Sequence, residues 1–217
     1  ILDFKKNGYL KEAIINNLIL LGWSPKTNNE IINIEDIIRL FDINKLSKSS
    51  SIFSFKKLNF FNNYYLRSQI GLKEFNYFCQ NNEKMKILYN ENKVKMNNIF
   101  ETYKKNLNSF NELIDIVDVY YDKKFKINLK EKFSKEFENI FIDFKQKISN
   151  IEIWKKENIE KNLDDFLIDK NIKFPTLGKP IRFLLTNSYK GPSISDIFVI
   201  LGKKDSIYRL NQYIEEI

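Results

Sequence analysis

Tyr9-Leu10-Lys11-Glu12-Ala13-Ile14-Ile15-Asn16-Asn17-Leu18-Ile19-Leu20-Leu21-Gly22-Trp23-Ser24-Pro25 is the stretch that decides the fold class. Leu10, Ala13, Ile14, Leu18 and Leu21 recur at helical spacing, which puts them on one face, and Gly22 with Pro25 supplies the stop. The same pattern continues down the chain. Asn33 can cap a second helix, with Glu35 and Asp36 in its first turn and Ile34, Ile37, Ile38 and Phe41 as its stripe. A third runs from about Ser54, with Leu58, Phe61 and Tyr65 on one side. Gly71 breaks the pattern before short amphipathic helices joined by Gln80-Asn81-Asn82 and Asn90-Glu91-Asn92. Two regular stripes follow: Phe110, Leu113, Ile114, Val117 and Tyr121 over 109–121, then Phe133, Phe137, Ile140, Phe141 and Phe144 over 130–148. Such an aromatic stripe reads as core packing.

The last fifty residues predict three short helices. Pro175, Gly178 and Pro180 precede the apolar run from Ile181 to Leu185. Gly191-Pro192 then turns the chain into Ser193-x-x-Asp196, a relative of the capping box. Gly202 stops that helix, and Asp205 or Ser206 caps a final one carrying Ile207, Leu210, Tyr213 and Ile214.

Composition agrees with an all-α protein. In 217 residues there are only six Gly and four Pro, too few for a sandwich or barrel that turns every ten residues. The 43% hydrophobic content suffices for a real core. One cysteine, Cys79, excludes an internal disulfide framework and a Cys-rich zinc site, and it reads as a small buried hydrophobe. Histidine is absent, which removes the commonest general base and metal ligand. No glycine-rich phosphate loop or paired-carboxylate site stands out, so no catalytic or metal residue is assigned. No apolar run approaches the ~20 residues of a membrane span, and Ile1-Leu2-Asp3-Phe4-Lys5 lacks the order of a signal peptide. A soluble chain with no membrane partner is expected. Trp23 and Trp154 read as packing residues, each needing one acceptor for its indole N–H.

A net charge of +8 invites a polyanionic partner, although 32 Lys against 4 Arg, with 32 Ile and 28 Asn, also carries the mark of AT-rich coding. Position is more telling than total. Residues 1–108 hold 17 basic and 10 acidic side chains, whereas 109–217 hold 19 and 18, so the first half is the one suited to face an anion. Within it, Lys45-Leu46-Ser47-Lys48-Ser49 imitates the lysine-serine loop of class I aminoacyl-tRNA synthetases. That loop works beside a nucleotide-binding fold with a histidine-containing motif, which this chain does not contain.

Longer patterns carry a resemblance. Asp3-Phe4-x-x-x-Gly8-Tyr9-Leu10-x-Glu12-Ala13-x-x-Asn16-x-Leu18-x-x-Leu21-Gly22-Trp23-Ser24-Pro25 resembles bacterial glutamyl-tRNA synthetases just beyond their true lysine-serine loop. Ser47 to Ser54, then Lys57-Leu58, Asn62 and Arg67, is similar to that family's SKSPAxFDxxKLxxxN stretch. Gly178-Lys179-Pro180-Ile181-Arg182-x-x-Leu185-Thr186, Gly191-Pro192-Ser193-Ile194, Leu201-Gly202-Lys203 and Arg209-Leu210 look like its C-terminal signature. Ser50 and Ser54 depart from the usual Pro and Asp, and Asn187 from a usual Gly. Asn106-x-x-Ser109-Phe110-x-Glu112-Leu113 matches a stretch that often begins with arginine.

The resemblance implies a helical stem-contact domain over 1–71 and an all-helical anticodon-binding region over 72–217, in subdomains of about 72–140 and 141–217. It also implies a catalytic domain upstream, a cytoplasmic monomer, tRNA(Glu) and, as a second partner, tRNA(Gln), and ATP and Mg2+ as cofactors of the parent enzyme with none in this portion. Arg182 would approach the middle anticodon base, Gly191, Pro192 and Ile194 the first, and Asn106 the third. Lys45, Lys48, Lys56, Lys57 and Arg67 would suit phosphates of the tRNA stem. Each has a plainer reading: an inter-helix salt bridge for Arg182, a helix-start turn for Gly191-Pro192, a solvated surface for any one lysine. A free-standing helical RNA-binding or scaffold module is the alternative for the whole chain.

Overall fold

A computed structural model describes residues 2–25, 29–48, 51–129 and 132–214. Ser49 and Ser50, two positions in the sequence comparisons above, and the expected helix start at Lys130 lie outside the described residues. Among those described, all regular structure is helical, and no helix is long and apolar enough to cross a membrane. The chain divides into two compact units, Ile1–Val117 and Asp118–Ile217.

The first unit contains α1 (Leu2–Lys6), α2 (Lys11–Gly22), α3 (Ile34–Leu40), α4 (Phe55–Arg67), α5 (Gln69–Asn81), α6 (Glu83–Glu91) and α7 (Lys93–Tyr103). It also holds the start of α8 (Glu112–Tyr121), which runs across the division. The caps follow the sequence. Asn33 Oδ1 accepts from Asp36 N at 2.7 Å to open α3, and Ser54 Oγ accepts from Lys57 N at 3.4 Å to open α4. Serine and aspartate are both good N-caps, so Ser54 keeps the function of the aspartate that the resemblance leads one to expect. α2 packs on α4 and α4 on α5, while α5, α6 and α7 pack on one another around Phe75 and Phe100, whose rings stack at 4.6 Å. Cys79 is fully buried there, and burial pushes its thiol up to about 12, so it acts as a hydrophobe.

Three asparagines fasten this unit. Asn16, fully buried, accepts from Ile32 N (3.0 Å) and the Tyr65 hydroxyl (3.1 Å) and donates to Glu30 O (2.7 Å). Asn62, also fully buried, accepts from Leu10 N at 2.8 Å and donates to Asn108 O at 2.6 Å. Asn63 donates to the carbonyls of Lys105 and Leu107 at 3.1 and 2.8 Å. Gly8, at φ +78°, accepts from Phe110 N at 3.2 Å, and a Cβ there would lie 2.8 Å from that nitrogen. These bonds carry the first unit well past Gly71. The helix break falls at Ser68, and Gly71 is needed inside α5 because a Cβ would stand 2.0 Å from the Leu66 carbonyl. Trp23 is buried with Ile32 and Ile37, but its indole N–H has no partner among the described residues, contrary to expectation.

The second unit is built on α9 (Lys135–Ser149), α10 (Lys156–Asp169), α11 (Phe174–Thr186) and α12 (Ile194–Ile214). Phe137, Phe141 and Phe144 are fully buried, as the stripe requires, and Trp154 donates its indole N–H to Phe198 O at 2.9 Å. α10 is not among the helices the sequence predicts. α11 begins earlier than the run from Ile181: Pro175 fits its first turn, where an N–H has no helical acceptor, and burial of Leu177 and Pro180 offsets the bond Pro180 cannot make. Gly202, at φ +78° and ψ 165°, breaks α12 as expected. Helix resumes at once, so Asp205 and Ser206 lie inside it instead of capping it.

Candidate nucleic-acid interface

The end of α11, the loop 187–193 and the start of α12 bring together the motif residues of the second unit. Asn187 occupies the left-handed conformation at φ 54°, closing α11 with its N–H on Phe183 O at 2.7 Å. Asparagine tolerates this conformation best after glycine, which explains the departure at this position. Its amide adds two bonds that glycine could not make, accepting from Asn128 N and donating to Lys126 O, both at 2.9 Å.

Arg182 projects from α11 beneath the loop. Its Nε donates to Pro192 O at 3.1 Å and its Nη1 to Tyr189 O at 3.3 Å. Arg182 thus braces the loop by its carbonyls, and no salt bridge holds it among the described residues. Nη2 has no acceptor among the described residues. Gly191 is exposed at φ 146°, and Ser193 caps α12 by accepting from Asp196 N at 3.1 Å. Ile194 is 1% exposed, so its side chain belongs to the core and any contact with a base falls to the loop in front of it. Lys156 pairs with Asp196 at 2.6 Å, a hydrogen bond that raises its pKa.

The structure brings Arg182, Gly191 and Pro192 together. Asn106 belongs to the first unit, exposed in the 3-10 turn of residues 104–106, whose neighbouring carbonyls Asn63 holds. The basic candidates also lie in the first unit and differ in availability. Lys48 and Lys56 are exposed. Arg67 is exposed and donates Nε to Asn63 O at 3.3 Å, leaving the outer guanidinium edge to solvent. Lys45 pairs with Asp42 at 3.1 Å. Lys57 pairs with Glu30 at 2.7 Å, so its charge is already offset.

Sequence reasoning quoted Arg209 as a motif residue but missed its buried role. It is 1% exposed, donates to Leu185 O and Val119 O at 2.5 and 2.6 Å, and lies 3.9 Å from the Phe125 ring centroid. Those carbonyls belong to the last turns of α11 and α8, the negative ends of two helix dipoles. Burial pushes the guanidinium down to about 10, which leaves it charged at neutral pH. The signal was available: Ser206, Leu210 and Tyr213 mark the buried face of α12, and Arg209 sits in that stripe.

The second unit thus presents an arginine-braced loop at a helix junction, and the first unit presents exposed cations. A family model described as "Anticodon binding domain" matches residues 72–214, two thirds of the sequence, and the chain belongs to that family. A second, "tRNA synthetases class I (E and Q), catalytic domain", matches residues 1–60. The chain is similar to the glutamate–tRNA ligases of Mycoplasma mycoides subsp. mycoides SC and Clostridium acetobutylicum, at 31% identity over 96% and 99% of this chain and 44% and 45% of theirs. It is also similar to the crystal structure of a glutamate tRNA ligase from Elizabethkingia meningosepticum, with a TM-score of 0.78 and 25% identity over 98% of this chain and 42% of that one. The chain thus spans less than half the length of the curated relatives it matches.

Proposed function

We propose that this chain is the tRNA-binding portion of a glutamate–tRNA ligase, carrying over residues 1–60 only a small part of the catalytic domain on which the ATP- and Mg2+-dependent chemistry depends. The supporting observation is the braced loop: Arg182 holds Gly191-Pro192 open at a helix junction, within the segment matching the anticodon-binding family. In this reading residues 1–71 contact the tRNA stem, and 72–217 bind the anticodon in subdomains of about 72–140 and 141–217. The protein acts as a monomer in the cytoplasm. The Nη2 edge of Arg182 hydrogen-bonds the middle anticodon base, the Gly191-Pro192 backbone lies against the first, and Lys48, Lys56 and Arg67 are the phosphate contacts left most available. A free-standing RNA-binding or scaffold module is not favoured by the glutamate–tRNA ligase relatives.

Asn106 would face the third base, C in tRNA(Glu) and G in tRNA(Gln). An amide offers both a donor and an acceptor on a short stem, whereas the planar fork of arginine only donates, so asparagine accommodates either base. The parent enzyme would then charge both tRNAs with glutamate. Aminoacylation of both by the full-length enzyme, with Asn106→Arg beside it, tests this: strong preference for tRNA(Glu), unchanged by the substitution, rejects it. For the chain itself, tRNA(Glu) binding should fall steeply with salt as phosphate contacts release counterions, and discrimination among anticodon variants should drop with Arg182→Ala. Salt-independent binding, or equal discrimination by Arg182→Ala, counts against the assignment.

A further inference from the structure

We propose that Tyr189 is a stacking platform for an unpaired RNA base, a site that rests on the reading of this chain as an anticodon binder. The ring is 51% exposed, although it lies in a tightly bonded loop. One of its faces stacks on Phe183, with centroids 4.7 Å apart and planes at 27°. Phe183 meets Phe133 edge-on at 6.1 Å, and Phe133 meets Tyr213 at 5.2 Å. Tyr213 is 1% exposed, so this file of four rings runs from the core to the surface and ends with an open aromatic face.

The backbone beneath the ring is fixed independently. The Tyr189 carbonyl accepts from Arg182 Nη1 at 3.3 Å, and the Ser188 hydroxyl bonds to Lys190 on both sides, accepting from its N–H at 3.1 Å and donating to its carbonyl at 3.0 Å. A ring held this way loses little freedom when a second flat group stacks on it. The nearby charges, Arg182 bonded to the Tyr189 carbonyl and the exposed next residue Lys190, select a flat group that carries a phosphate over a neutral or basic aromatic side chain. Stacking accepts any base, so Tyr189 adds affinity while the Arg182 edge and the loop backbone supply discrimination.

The test is fluorescence anisotropy of the 217-residue chain with a hairpin RNA carrying the glutamate anticodon loop, and with the same hairpin made abasic at one loop position at a time. Tyr189→Ala should weaken binding of the intact hairpin about tenfold, and Tyr189→Phe, which keeps the ring, should stay within about twofold of the original. One abasic hairpin should bind about tenfold less well to the unaltered chain and lose its sensitivity to Tyr189→Ala. If the unaltered chain binds the hairpin and Tyr189→Ala binds it equally, the platform is wrong and the tRNA reading stands. Equal losses for the Phe and Ala variants, or no abasic position that absorbs the Ala effect, also overturn it. Failure of the unaltered chain to bind either hairpin or tRNA overturns both proposals.

Discussion

Both units tie distant backbone segments together through carboxamides, and the second adds a buried charge. In the first, three neutral carboxamides, Asn16, Asn62 and Asn63, bridge segments whose backbones already lie close. In the second, the carboxamides of Asn187 and Gln212 hold residues 125–128, and one charged guanidinium, Arg209, reaches the ends of two helices. An amide leaves water at modest cost and satisfies a donor and an acceptor at once. A guanidinium is costly to desolvate and only donates, so it is retained where two helix C-termini and the face of Phe125 compensate its charge. The choice of fastener follows the sign of the groups at its ends.

Removing each fastener tests this contrast. Arg209→Ala should have the largest effect, about 3–5 kcal/mol, because it leaves two carbonyls without donors and a cavity beside Phe125. Hydrogen exchange should lose protection over 118–214 while most of 2–117 keeps it; an unchanged melting temperature would show that Arg209 holds nothing. Asn62→Ala should cost about 2–3 kcal/mol, with the loss centred in the first unit, since Leu10 N–H and the Asn108 carbonyl lose their partners. Urea titration measures it, and a cost below that of an ordinary surface change would mean the amide is dispensable.

Alkaline pH separates the units further. Burial raises Tyr65 from 10.0 to about 12. A group whose folded pKa is raised contributes stability that is complete below its unfolded value and lost as pH climbs through the folded one. Tyr65 should therefore cost the first unit about 2 kcal/mol between pH 10 and 12, and Tyr65→Phe should remove that share while leaving the slope that buried Cys79 adds. Arg209, lowered to about 10, works in the opposite direction, its contribution rising above pH 10. Stability curves at several alkaline pH values read both. The smallest expected change is Ser54→Ala, about 1 kcal/mol from loss of one helix cap; Ser54→Asp should recover it.

Helices that announce themselves in the sequence have a regular apolar stripe with a recognisable cap or stop: Gly22 at the end of α2 with Pro25 beyond it, Asn33 before α3 and Ser54 before α4. α10 escaped because Ile159, Leu163 and Phe166, its buried stripe, are interspersed with charged residues from Lys156 to Asp165. The site was legible as a motif and not as geometry. Arg182 and Gly191-Pro192 do meet, but the use of two of Arg182's donors on loop carbonyls depends on backbone directions no pattern encodes. The pairing of Lys57 with Glu30, 27 positions away, was equally hidden, and it offsets the charge of an expected phosphate contact. Arg209 was visible by periodicity yet passed over, because a charged residue is read as exposed until its neighbours show otherwise.

The bonds from Gly8, Asn62 and Asn63 to residues 105–110 also set a schedule. When a ribosome has released the chain through residue 70, the Gly8 carbonyl and the amide nitrogens of Asn62 and Asn63 have no partners, because the strip of chain that supplies them is still being made. At about 5–20 residues per second, several seconds pass before that strip emerges and the first unit can close. During that interval the apolar faces of α2 and α4 are open to any other chain nearby, so slowing elongation between residues 70 and 110 should raise the fraction of product lost to aggregation.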